Sequence, residues 1–442
     1  NQAGPSFTLD NAALETTYYW RIDEVNDAAA GSPWKGQVWS FTTEAVGYPL
    51  ARNLITATAS SADASDPNAT SDGRGLDVAG LHDIQTANMW LCAADDGEPW
   101  IRYDFDKTYK LHEMRVWNHN SDSEALLGRG IKDAKIEVSV DGENWTEVHA
   151  SYRFERAPGT AGYAVGTVVP MNGAVAMAVR ITALSNWSDY PEIFKQKGLS
   201  EVQFDYIPVW ARQFAPASGA KNVSADLSLS WRSGREASQH QVYVGLDPNS
   251  MALVGTVTGN SFDTGGLNLL LGRTYYWQVV EVNEAEAVSS WAGPVNQFST
   301  EPVQVIDDFE SYSNASPNQV FQNWQDGYGY PADAYLPAYN GNGTGSVLGH
   351  DIWTPGGTHY EGSIIERAIR YNGTQSAPFY YDGLSEITLV LDEPWNFTAH
   401  GVQGLVVHFW GEPDNTAAPL YVKINNSKVP YSGAASDLQY PG

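Results

Sequence analysis

From Trp100 to Phe105, and again from Leu111 to Trp117, apolar and polar residues alternate, the period of a strand with one buried face. Further strand-like runs follow at Ala134–Val140, Ala178–Ala183 and Leu199–Phe204, and Asp141-Gly142 supplies a hairpin-type turn before Trp145. Later come Leu227–Trp231, Gln241–Gly245 and Leu253–Phe262, then Gln375–Asp382, Gly404–Trp410 and Leu420–Ile424. Helical periodicity is scarce, while Gly and Pro punctuate the runs. The pattern predicts an all-β chain, a string of β-sandwich modules. Trp90, Trp100, Trp117 and Trp145 are expected in the core.

An internal repeat divides the chain. Thr17-Tyr18-Tyr19-Trp20 recurs as Thr274-Tyr275-Tyr276-Trp277, and the same offset of 257 residues carries Glu24-Val25-Asn26 onto Glu281-Val282-Asn283, Trp34 onto Trp291 and Phe41 onto Phe298. One offset held over four separated landmarks marks two copies of one module. The second copy runs from about Val209 to Thr300 with some seven short strands, the pattern of an immunoglobulin-like sandwich. The first holds only the back half, from about Ser6 to Thr43. Half a sandwich leaves an open core and unpaired edges, so the expectation is that the native chain extends before Asn1, or that another chain donates the missing strands. The Tyr-Tyr-Trp-x-Val-x-Glu-Val-Asn signature of the second copy resembles the fibronectin type III-like modules of bacterial extracellular proteins.

Between the copies, "WIRYDFDKTYKLHEMRVWNHN", "IKDAKIEVSVDGENWTEV", "AVRITALSNWS" and "GLSEVQF" follow one another in the order of a discoidin, or coagulation-factor type C, domain. Carbohydrate-binding module family 32 belongs to that group. The resemblance implies an eight-stranded jelly roll with a structural Ca2+ beside Ser71-Asp72-Gly73, closed by a late carboxylate. The matching positions are Asp72 and Glu201, with Asp77 as an addition. Calcium takes six to eight oxygens, several from loop carbonyls; the alternative is an ordinary Asp-Gly turn and a strand Glu. The family's ligand loops correspond to Trp117–Asn120, which includes His119, to Arg129, and to Asn186-Trp187 with Tyr190. Sugars need an aromatic face for their C–H patches and planar amides or Arg for their hydroxyl pairs. Packing of Trp187 under the loop that follows it is the alternative to stacking on a sugar.

From Val303 on, "DDFESY", "GTQSAPFYYDG" and "NTAAPLYVKINNSKV" resemble a galactose-binding-like jelly roll. The chain stops before that family's closing strands and late carboxylates, leaving Glu310 as a possible metal ligand and Trp324, Asp326, Tyr328 and Tyr330 as an aromatic-acidic loop. The expected units are therefore 1–45 (a partial fibronectin type III-like module), 51–207 (discoidin-like), 208–301 (a complete sandwich) and 302–442 (a truncated jelly roll).

Composition narrows the function. With 25 Lys and Arg against 52 Asp and Glu, a formal charge of −27 opposes nucleic acid. A single cysteine, Cys92, excludes an internal disulfide. No apolar run approaches the ~20 residues of a membrane helix, and any targeting segment is expected to lie outside the sequence. His112-Glu113 opens like a zinc motif but lacks its second His, and neither a Gly-x-Ser-x-Gly elbow nor a phosphate loop occurs. These readings and the resemblances lead to one expectation: the chain is the non-catalytic, extracellular or cell-surface carbohydrate-binding and adhesion region of a larger secreted protein. Polysaccharide or cell-surface glycan is the expected partner, with self-assembly through the incomplete modules as a further contact. The alternatives are a structural subunit of an extracellular fibre or surface layer, and the accessory region of a carbohydrate-active enzyme.

Overall fold

The computed structural model describes residues 4–9, 11–391 and 393–439. Strands dominate throughout; the α-helical segments, Glu124–Leu127 and Val320–Asn323, are single turns.

The middle module is organised by one long strand. The two alternating runs expected as separate strands join into Trp100–Asn118. Its first half pairs with Ile55–Ala59 on one edge and Val175–Asn186 on the other; its second half pairs with Gly198–Ile207 and Thr167–Pro170. One strand thus serves two layers, and the core lies between them, with Ile101, Tyr103, Leu111, Met114, Val116, Val179, Ile181, Val202 and Phe204 fully buried. Phe204 receives Tyr103 and Phe105 edge-on, with centroids 5.3 and 5.1 Å away.

Two expected core tryptophans are corrected, one of them by strand parity. Trp90 is buried completely and Trp117 nearly so. Because Ile101, Tyr103 and Phe105 point inward, Trp100 shares the outward parity of Arg102 and Asp104 and is only half-buried. Trp145 also lies outside the core, half-buried, with the guanidinium groups of Arg180 and Arg102 at 4.3 and 5.3 Å from its ring centre.

Residues 208–301 form two sheets around a second core. Arg212–Ala215, Ser228–Arg232 and Ser261–Asp263 make one; the other runs in the order Ala220–Val223, Asn296–Thr300, Thr274–Val282, Gln239–Gly245, Ala252–Val257, with Ser290–Ala292 on Thr274–Val282. Trp231, Val242, Tyr275, Trp277, Val279 and Phe298 fill the space between.

The first copy repeats this geometry locally. Tyr18 pairs with Phe41 as Tyr275 does with Phe298, the rings stacked at 5.7 and 5.9 Å. Tyr18 accepts the Ala13 N–H at 2.8 Å through its hydroxyl, and Tyr275 accepts that of Leu270 at the same distance. Among the described residues, however, the first copy is two small ladders, Thr17–Trp20 on Trp39–Thr42 and Asp23–Glu24 on Trp34–Lys35.

The segment after it is clamped between the next two modules. Glu44 pairs with Arg212, Arg232 and Arg235, Arg235 also donates to the Ala45 and Val46 carbonyls, and Tyr48-Pro49 joins the Gly198–Ile207 strand. Across the same junction Lys110 reaches Glu236 at 2.6 Å, and Trp210 stacks on Tyr206 beneath the Lys107 ammonium.

Beyond residue 302 the described strands are short pairs: Trp324-Gln325 with Thr388-Leu389, Ser346–Leu348 with Phe379–Tyr381, and Tyr421–Ile424 with Ser427–Pro430. A small core gathers Val320, Phe321, Leu348, Ile364 and Ile365. The expected strand at Gly404–Trp410 is not part of a ladder, and Leu405, Val406, Val407 and Trp410 are exposed, so its alternation has no sheet to serve.

Candidate functional site

At one end of the middle module, the turn after Trp100–Asn118, the single-turn helix Glu124–Leu127 and the loop after Asn186 meet. Gly128 closes the helix with φ +59°, and a Cβ there would stand 2.4 Å from the Trp187 carbonyl carbon, so glycine alone permits this approach of the two loops. The Trp187 N–H donates to the Gly130 carbonyl at 3.1 Å, and the Gly198 N–H to that of Arg129 at 3.0 Å.

The expected sugar-binding residues divide into two groups. Asn120 is fully buried: its amide donates to the Asp83 and Thr160 carbonyls at 3.0 and 2.8 Å and accepts the Gly159 N–H at 2.8 Å. Asn186, nearly buried, donates to the Phe194 and Gln196 carbonyls and accepts from the Ser188 N–H. His119 is buried with Nδ1 3.0 Å from Glu124, whose other oxygen accepts the Gly130 N–H at 2.8 Å. These three spend their polar groups on loop backbone or on a buried partner, so the expectation that they face a ligand is corrected: they hold the loops in place. The second group is less buried. Tyr190 is 65 % exposed. Trp187 is half-buried, its indole N–H donating to the Phe154 carbonyl at 3.1 Å and Lys132 lying 5.1 Å from its ring centre. Arg129 is half-buried, and its Nε has no hydrogen-bond partner.

The acidic positions also separate. Glu201 is fully buried, yet its contacts are long: the Gly73 N–H at 3.2 Å, the Gln203 amide at 3.3 Å and Arg52 at 3.5 Å. Burial pushes its pKa up to about 7, opposed by these three contacts, and the charge of Asp72 pushes in the same direction as burial. Asp72 is partly exposed and paired with Arg74. Asp77 closes its own turn, accepting the Ala79 and Leu81 N–H groups at 2.8 and 2.9 Å. Glu310, in the last unit, accepts N–H groups of Thr374 and Gln375 at 2.9 and 3.1 Å, and those bonds, the Thr374 side chain foremost, hold its carboxyl below the usual range. The aromatic-acidic loop likewise uses Asp326 internally, on the Gly329 and Leu348 N–H groups, and leaves Tyr328 exposed. Among the described residues no group of three or more His, Cys, Asp or Glu could hold a metal, so any cation at Glu201 would need loop carbonyls or water as further ligands.

A cleft of about 520 Å³, lined by Arg52, Asp77, Arg115, Trp117 and Gln203 among others, lies on the outer face of the sheet. Of these, sequence reading placed Asp77 and Trp117 at candidate sites. The usable signal was parity: Arg115 pairs with Gln203 and Trp117 with Glu201, alternating with the core pair Val116 and Val202.

Residues 55–195 match the F5/8 type C domain family, which identifies the middle module as a domain of that class. Among solved structures, a family 32 carbohydrate-binding module from a Clostridium perfringens family 31 glycoside hydrolase is 24% identical, covering 36% of this chain and 94% of that one at a TM-score of 0.28. The family 32 module of C. perfringens NanJ, solved in complex with galactose, is 17% identical, covering 36% and 99% at a TM-score of 0.27. No curated protein matches the chain in sequence. Among the described residues no helix is long and apolar enough to cross a membrane.

Proposed function

We propose that the chain is a non-catalytic, extracellular carbohydrate-binding region whose contact surface is the loop end carrying Tyr190, Trp187 and Arg129. The observation that carries this reading is the division of labour at that end. Buried Asn120, Asn186 and the His119–Glu124 pair fix the loops, so exposed Tyr190, with half-buried Trp187 and Arg129 beside it, stands on a rigid base. Stacking on a sugar's C–H face and hydrogen bonds to its hydroxyls are what such a surface offers. Affinity is expected to be weak, on the order of 0.1–1 mM. Binding to a glycan array by the full chain, compared with Tyr190→Ala and Arg115→Ala, tests the placement. Loss with Tyr190→Ala and an unchanged melt supports the loop end; loss only with Arg115→Ala moves the site to the cleft; no glycan bound by the wild type removes the reading.

Ca2+ beside Glu201 and Asp72 is part of the same proposal. A buried carboxylate with long contacts and a second carboxylate nearby suits a hard cation, which would brace the loop that covers the cleft.

A further inference from the structure

The cleft on the outer face of the middle module has no task in the loop-end reading, and strand register builds its wall. Arg115 stands opposite Gln203 and Trp117 opposite Glu201 on one ladder. Glu201 is fully buried, while Arg52, Arg115, Trp117, Gln203 and Asp77 line the cleft.

Their polar groups are unequally committed. Arg115 gives its Nε to Glu113 at 3.0 Å and also pairs with Asp205, so its charge is met twice within the protein. Among the described residues the only carboxylate within ion-pair distance of Arg52 is Glu201, at 3.5 Å, and the Arg52 side chain is 46% exposed. Gly73, at φ +75°, makes room for that guanidinium: a Cβ there would stand 2.4 Å from its Cζ. Trp117 is nearly buried, and its indole N–H has no hydrogen-bond partner. Asp77 spends Oδ1 on the Ala79 and Leu81 N–H groups of its own turn. The rim is apolar, with Val78 fully exposed and Val165 38% exposed.

A half-exposed guanidinium with one distant internal partner favours an anion, and its planar fork matches a carboxylate. A volume of about 520 Å³ is that of a small-molecule site. We propose that the cleft is a second binding site, for a sugar unit that bears a carboxylate. Arg52 holds the carboxylate, Gln203 and Asp77 meet hydroxyls, and Val78 and Val165 flank the ring. A neutral sugar would leave Arg52 without its anion, and a bare anion would leave the apolar rim uncovered. The site shares no residue with the loop end at Tyr190, Trp187 and Arg129, and the proposal does not rest on that reading.

The test titrates the full chain with a glucuronate-containing disaccharide, its methyl ester, and a sulfated disaccharide without a carboxylate. Calorimetry reads affinity, and the Trp117 indole N–H resonance, assigned with Trp117→Phe, reads the place. The acid should bind and move that resonance, and the methyl ester should bind at least about tenfold more weakly. Arg52→Gln should weaken the acid by about tenfold or more. Arg52 also neighbours Glu201, so exposed Val78 supplies variants that leave the fold alone. Val78→Glu should weaken the acid about two- to fivefold and Val78→Lys strengthen it, with unchanged melting, whereas Tyr190→Ala should have no effect. Equal binding of acid and ester overturns the proposal, as does binding that leaves the Trp117 resonance in place or responds to Tyr190→Ala instead of Val78→Glu. Preference for the sulfated probe, or no binding of the acid, overturns it as well.

Discussion

Glu201 sets a test of how far burial controls the middle module. With Glu201 free of metal, its pKa is raised from 4.5 to about 7. The folded state therefore binds a proton more tightly than the unfolded state, and the module is most stable below the unfolded value and loses stability as pH rises through 7. At ~1.4 kcal/mol per pKa unit the loss is about 3 kcal/mol, on the order of 6–12 °C in melting temperature for a unit of this size. Glu201→Gln keeps the shape and removes the charge. In chelator, wild type should melt progressively lower between pH 5 and 8 by this amount, and Glu201→Gln should lose that slope. Added Ca2+ should restore the wild type at pH 8, because a cation holds the carboxylate ionised, and should leave Glu201→Gln unmoved. Calorimetry of the full chain across the pH series reads both effects. A wild type whose module melts alike at pH 5 and 8 in chelator would refute the argument that Glu201 is ionised at a cost, and an identical response of both proteins to Ca2+ would remove Glu201 from the cation site.

The outward tryptophan and the junction yield two more expectations. Trp145→Ala should cost only about 1–2 kcal/mol, the worth of its two guanidinium contacts, whereas Phe204→Ala should cost roughly 3–5 kcal/mol by emptying the centre of the core; equal denaturant midpoints would contradict the placement of Trp145 outside the core. At the junction, burial raises the Glu44 carboxyl, but the Tyr48 hydroxyl and the guanidiniums of Arg212 and Arg232 outweigh it and hold it below the usual range. Its contribution is thus present above the ordinary Glu value and fades as pH falls through the lowered one. Glu44→Gln should weaken the clamp by about 2–3 kcal/mol and speed proteolysis of residues 43–49 at pH 7, and wild type should approach the variant's rate only in acid.

Much of the architecture was legible from period and repetition alone. Alternation placed the strands Trp100–Asn118, Ile131–Ser139, Val175–Asn186 and Gly198–Ile207 to within a few positions, because a sheet with one buried face has a period of two, and it missed Thr146–Arg153 and Thr167–Pro170. The offset repeat marked two copies of one module, and the structure gives them the same local geometry, Tyr18 on Phe41 and Tyr275 on Phe298, each tyrosine hydroxyl capping the preceding loop. What lay beyond the sequence was which side of each pattern meets a partner. Trp100 heads an alternating run but takes the outward parity, and one residue of register separates core from surface. Asn120 and Asn186 carry the amides a sugar would use, yet loop backbone offers the same donors and acceptors, and only the closed loops show which one they serve. Tyr-Tyr-Trp is the limiting case: one tetrapeptide, Thr-Tyr-Tyr-Trp, buries its tryptophan in one copy and exposes it in the other. Local sequence determines that this segment forms a strand with an aromatic face; burial belongs to an opposite sheet whose strands come from elsewhere in a chain, and the tertiary structure shows which rings that sheet covers.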